Sequence, residues 1–249
     1  HELLGNTREA SRHYELALEA SRTLTSRRLE AGILARLGAM HLAGGSLDKA
    51  VQTLEAALDV ERAGQNPLGV SRVLSVLGRV RAAQGRHDEA NVLLARALRL
   101  AGAAESARLR VHALAGLADV ALARGRASEA RSYSDALLSD LEDLRAGTAR
   151  DDLRIALSAA HDDHYRRHIE ILMDLHAQRP GGGYAEMAYS TAERARARTL
   201  LDTLASAPGW VTAPVGSRLE TLDTSLRREI GAKADRLSRM LAGNAPAAD

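Results

Sequence analysis

The chain has 249 residues, enough to bury a sizeable core, and it contains no Cys and no Phe, one Trp and five Tyr. That composition excludes disulfides, thiolate metal sites and cysteine nucleophiles, and it leaves a core of Leu, Ala, Val and Ile, suited to closely packed helices. Lys plus Arg number 34 against 32 for Asp plus Glu, with the signs interspersed, so the concentrated basic patch that nucleic acid requires is not expected. No apolar run approaches the roughly 20 residues of a bilayer span and nothing resembles a signal peptide, so a soluble, cytoplasmic protein is predicted. Only Lys49 and Lys233 are lysines, a bias that reads as high-GC bacterial coding.

In chain order, the first signal is a period. Gly5, Gly45, Gly85 and Gly125 stand forty residues apart, as do Ala10, Ala50, Ala90 and Ala130, and the series Ala17, Ala57, Ala97 and Leu137. Each full unit carries Leu37-Gly38, Leu77-Gly78 or Leu117-Ala118 upstream. One unit reads "LARLGAMHLAGGSLDKAVQTLEAAL" and the next "LSVLGRVRAAQGRHDEANVLLARAL".

The pattern predicts a helical hairpin. Leu34, Leu37 and His41 share one helical face, as do Leu74, Leu77 and Arg81. Gly38 and Gly78 keep side chains away where two helices approach. The glycine after the first helix suits a left-handed C-cap. Asp48 and Asp88 suit the start of the second helix, and the spaced alanines let that helix nest on the first.

This hairpin resembles the tetratricopeptide repeat, whose motif sets Leu-Gly on the first helix and three spaced alanines through the second. The period here is forty rather than about 34, so both helices are expected to run long. The usual Trp, Tyr and Phe, and the proline ending each repeat, are missing. The resemblance implies an all-α fold class: a right-handed superhelical solenoid of about four hairpins. Residues 1–148 are expected to hold the repeats. The first is truncated to a lone second helix, so the chain is expected to be a fragment of a longer protein.

From Asp151 the units change. "DDLRIALSAAHDDHYRRHIEILMDLHAQRP", with Ile155, Leu172 and Leu175 among its apolar positions, predicts a long first helix ended by the glycines at 181–183. Tyr184 to Ala207 then forms its partner, with Ala188, Ala192 and Ala195 as the spaced alanines. Residues 149–207 are thus a degenerate, elongated last hairpin. "YAEMAYSTAERARARTLLDTLA" is similar to the segment joining tetratricopeptide repeats to a CHAT domain, a caspase-like peptidase module of bacterial proteins; "AERARARTLL" is its specific part. That family's catalytic His and Cys lie beyond this segment, so the CHAT domain is expected to be absent from this chain and no catalytic residue carries over. Residues 208–216 read as a linker. Residues 217–249 read as an amphipathic helix leading to a missing C-terminal domain, with Leu219, Leu222, Leu226, Ile230, Leu237 and Leu241 on one stripe.

Three sets of residues invite a function. Arg194, Arg196 and Arg198 read either as half-solvated side chains whose stems cover apolar surface or as an interdomain docking surface. Glu193 can meet Arg196, and Arg198 can meet Asp202, within the helix. His161, His164 and His168 follow an i, i+3, i+7 spacing that could converge on a metal. No Glu base and no closing ligand accompany them, so a polar helix face is expected and no metal or cofactor is predicted.

The concave surface of such a solenoid is lined by first helices. By register it should show Arg36, Arg72, Ser75 and Arg79, followed by His112, Asp119, Glu170 and Met173, while Gly32, Ala35, Ala39 and Ala115 leave room. A groove of this kind takes a protein or peptide ligand. The sequence therefore predicts a non-enzymatic interaction scaffold or sensor arm, which by resemblance would regulate an attached CHAT peptidase. The alternative is the arm of a bacterial transcriptional or signal-transduction regulator.

Overall fold

The computed structural model describes residues 7–146 and 151–206, together with Ser225. The expected linker at 208–216 and nearly all of the amphipathic stretch 217–249 lie outside the described residues, as do the side chains of Ile155, His161 and Asp202. The described residues form nine α-helices and no strand: α1 Thr7–Thr23, α2 Arg27–Ala43, α3 Leu47–Ala63, α4 Pro67–Ala83, α5 His87–Ala103, α6 Ala107–Ala123, α7 Ala127–Ala146, α8 Asp151–Gln178 and α9 Tyr184–Ser206. They build a right-handed α-solenoid of four hairpins, α2–α3, α4–α5, α6–α7 and α8–α9, with α1 packed on α2.

From α2 to α6 each helix has 17 residues and each joint has three, so the forty-residue period is two helices and two identical turns. Each turn is a Schellman motif. After α2, the Gly45 amide donates to the Leu42 carbonyl and the Ser46 amide to the His41 carbonyl. The Ser46 carbonyl then closes the first turn of the next helix by accepting from the Ala50 amide. One residue thus ends one helix and starts the next. The left-handed position falls on Gly45, Gly85 and Gly125 after first helices, as the glycine spacing predicts. After second helices it falls on Thr25, Gln65 and Glu105, with φ near +50°, a conformation that costs an L-residue about 1–2 kcal/mol.

The hairpins close because small residues stand where backbones meet. Ala50, Ala57, Ala90, Ala97 and Ala130 are fully buried against their partner helices. A Cβ on Gly38 would lie 2.4 Å from Leu54, and one on Gly78 would lie 2.6 Å from Leu94. Each glycine is thus a slot for a leucine of the second helix, and burying such a leucine contributes about 1.5–3 kcal/mol. In the third unit Ala118 holds the slot position, while Gly116 presses on Leu94 of the preceding unit. The core consequently runs between units as well as within them. Within the α4–α5 hairpin, Ser71 donates from a buried hydroxyl to the Ala97 carbonyl at 2.8 Å.

Candidate functional site

First helices lie side by side, α2 on α4 and α4 on α6, and carry one outward stripe each. On α2 it holds Gly32, Arg36 and Ala39, on α4 Arg72, Val76 and Arg79, and on α6 Arg108, His112, Ala115 and Asp119. Open space surrounds the Cα of Gly32. Two positions expected on this face are not on it. Ser75 is 2% exposed and its hydroxyl donates to the Ser71 carbonyl one turn back, while Ala35 packs into the core with Leu34. The α4 stripe turns through Val76 instead.

The charged groups on this face differ in how they are satisfied. Arg72 donates to the buried Glu61 carboxylate at 2.9 Å, and Asn66 binds the other oxygen of that carboxylate at 2.7 Å. Arg72 is therefore committed to the joint between α3 and α4. Asp119 accepts from Arg167 of α8 at 2.9 Å, and the same guanidinium donates to Glu170 at 2.9 Å. Met173 is exposed beyond them. Arg36, Arg79 and Arg108 make no ion pair among the described residues. Arg108 and Arg167 escaped the sequence reading, although Arg108 stands one turn before His112 and Arg167 one turn before Glu170.

Of the α8 histidines, His164 and His168 are described, and they take different places. His168 is 3% exposed, with its Nδ1 2.8 Å from the Ser134 hydroxyl and its Nε2 3.6 Å from Asp135, both on α7. It is a buried joint, not the solvated face expected of it. Burial holds its pKa below the ordinary 6.5, against the pull of Asp135 and with the help of Arg131 and Arg194. His164 belongs to the first-helix face. Burial lowers its pKa, Asp163 and Asp119 oppose this, and Arg79 adds to it. His112 reaches the surface, yet the flanking helices withdraw enough water to lower its pKa; Arg108, Arg79 and His164 push the same way. Among the described residues no group of His, Asp and Glu is arranged to hold a metal ion.

The α9 arginines separate. Arg194 is exposed, and Arg196 pairs with Glu193 on its own helix. Arg198 is 19% exposed, pairs with Glu142 of α7, and lies 5.1 Å over the Tyr165 ring of α8, whose hydroxyl donates to Glu142 at 2.7 Å. It ties three helices together, because a flat guanidinium can stack and hydrogen-bond at once.

The sequence profile of the tetratricopeptide repeat matches residues 29–103, the span of α2 to α5. The chain carries a tetratricopeptide-repeat region. No curated protein matches it in sequence. Among solved structures it is similar to BtubC (BKLC) from P. vanneervenii, with a TM-score of 0.60 at 16% identity, over 80% of this chain and 76% of that one. It is also similar to the nearly identical TPR-like repeats of a candidate kinesin light chain from Podosopora anserina. A singly substituted form of those repeats gives a TM-score of 0.52 at 20% identity over 81% and 90% of the two chains. A second structure of them gives 0.51 at 19% over 80% and 90%. At such identities these likenesses speak for the tetratricopeptide solenoid alone. Repeats of this kind present surfaces for protein–protein interaction. No helix among the described residues is long and apolar enough to cross a membrane.

Proposed function

We propose that this chain is a protein-interaction arm whose first-helix face forms a concave groove for an extended or helical segment of a partner protein. In a longer protein the arm would relay that binding to an attached CHAT peptidase. The observation that carries the reading is the trio Arg36, Arg79 and Arg108, ordered on one face, without ion pairs among the described residues, beside the open backbone of Gly32. Guanidiniums held this way are bidentate donors waiting for an acceptor, and the small side chains between them admit a backbone. The link to a CHAT peptidase rests on "AERARARTLL" and on the long hairpin that carries it.

An unbiased peptide display against the purified chain tests the groove without assuming its chemistry. Selected peptides should lose at least about tenfold in affinity when Gly32→Trp and Ala115→Trp fill the face, a steric loss comparable to one hot-spot contact. Circular dichroism confirms that the variants fold. Peptides that bind both variants as well as the parent would remove the groove from the reading. The gene sequence after Asp249 tests the peptidase link separately: a caspase-like His and Cys support it, and a helix-turn-helix replaces it with a regulator.

A further inference from the structure

Four basic groups lie on three successive first helices, Arg79 on α4, Arg108 and His112 on α6, and His164 on α8, where α4 packs on α6 and the Arg167–Asp119 pair joins α8 to α6. The charge of Arg79 reaches both histidines, that of Arg108 reaches His112, and the histidines reach each other. Asp119 of α6 and Asp163 of α8 face His164. Both are partly spent, Asp119 on Arg167 and Asp163 on Arg166. Arg79 and Arg108 have no carboxylate partner among the described residues. From this placement we infer that Arg79, Arg108, His112 and His164 form the receptor for an acidic segment of a protein partner, and that the two histidines take up protons as it binds. The inference rests on the groove proposed above and names the chemistry of its occupant.

The first reason is electrostatic. Like charges crowded on a face with partly excluded water raise one another's energy, and an arriving carboxylate relieves all of them at once. Protein is favoured over nucleic acid because repeats of this kind present surfaces to protein segments, and because a peptide can space its carboxylates to miss Asp119, Asp163 and Glu170, whereas a phosphate backbone is charged at every step.

The second reason is linkage. In the free protein both histidines lie below their ordinary 6.5, through burial first and the arginine charges next. Carboxylates placed beside them favour the protonated form, so their pKa values are higher in the complex than in the free chain. Between those two values binding consumes protons, and affinity rises as pH falls.

The test titrates the purified chain with a short fluorescent Glu-rich peptide, its Gln-for-Glu counterpart and a single-stranded DNA of matching length. Measurements at about pH 7.5 and about pH 5.5 bracket the histidine range. The Glu peptide should bind in preference to both others and should tighten about tenfold for each histidine whose pKa climbs by one unit. His112→Asn with His164→Asn should abolish the gain at low pH, while His41→Asn, outside the cluster, retains it. Arg79→Gln with Arg108→Gln should weaken binding about tenfold at both pH values, the loss of a hydrogen bond to a charged group. Equal binding of the Gln peptide or of DNA overturns the inference, as does a pH dependence that survives in the double histidine variant. Display peptides that are neutral or basic yet blocked by Ala115→Trp would overturn it too while leaving the groove itself standing.

Discussion

Leu94 offers the sharpest test of how the solenoid holds together. It is fully buried, and glycines press on it from two helices. A Cβ on Gly78 of α4 would stand 2.6 Å from its Cγ and 3.0 Å from Cδ2, with the Ala90 carbonyl at 3.3 Å. A Cβ on Gly116 of α6 would stand 2.6 Å from Cδ2 and 3.0 Å from Cδ1. The side chain therefore cannot swing away from one helix without meeting the other. Gly78→Ala gains about 1 kcal/mol of helix propensity but overpacks the slot, at about 1–3 kcal/mol. The net expectation is a loss of up to about 2 kcal/mol.

The decisive comparison is a double-mutant cycle. Leu94→Ala alone should cost about 2–5 kcal/mol. In that background the slot is empty, so Gly78→Ala should turn from destabilising to stabilising by about 1 kcal/mol. The coupling between the two sites is then about 1–3 kcal/mol, within the range for residues in contact. Urea unfolding followed by circular dichroism gives the four free energies, and hydrogen exchange in α4 and α5 shows where the loss falls. If the single effects add to within about 0.5 kcal/mol, Gly78 is not a slot for Leu94 and the account of how the α4–α5 hairpin closes fails.

Three further outcomes follow from the structure. Gly69→Ala should lower the urea midpoint by an amount equivalent to about 1–3 kcal/mol, because its Cβ would lie 2.1 Å from the buried Glu61 carboxylate and would break that group's bonds to Asn66 and Arg72; an unchanged midpoint would show the network to be dispensable. Gly85→Ala, at φ +74°, should cost about 1–2 kcal/mol, whereas Glu105→Ala, where an L-residue already bears φ +50°, should stay within about 0.5 kcal/mol; equal losses would contradict the assignment of turn strain. His112, His164 and His168 all lie below 6.5 in the folded chain, chiefly through burial. The unfolded chain then binds more protons once pH drops below 6.5, so this stability is present above 6.5 and is lost as pH falls through the folded values. A urea midpoint that holds constant or rises on acidification from about pH 7.5 to about pH 5.5 would refute this sign. Asp140 has the opposite sign, its pKa raised by burial against the pull of Arg110, but it acts nearer its own ordinary 3.8.

Much of the fold was legible because packing demands the same small residue at the same place in every unit. The alanines at 50, 90 and 130 and the glycines at 38 and 78 encode a helix spacing directly, so hairpins and joints could be read from them. The left-handed turns after second helices were not legible, since Thr25, Gln65 and Glu105 give no compositional sign of φ above zero. Side-chain roles failed wherever the partner was distant in sequence. Arg198 shows its mate Asp202 one turn away in the sequence, but nothing in the sequence shows that Glu142 and Tyr165, from two other helices, also meet it. His168 looked like part of a polar stripe because a spacing of i, i+3, i+7 describes a face without saying what covers it; α7 covers this one. Ser75 and Val76 straddle the border between core and surface, and one period could not decide which of them turns outward.

The first-helix face follows a different rule from the core. At 37, 77 and 117 the repeat holds Leu every time, but at 32, 72 and 112 it holds Gly, Arg and His, and at 39, 79 and 119 Ala, Arg and Asp. Positions that pack against an identical neighbour are bound to repeat, since each unit poses the same steric problem to the next. Positions that face outward are free of that demand, and variation there carries chemistry specific to each unit. Arg79 and His112 break the period, and both lie on this face with Arg108 and His164. In a solenoid the departures from the repeat, more than the repeat itself, are where a partner would be specified.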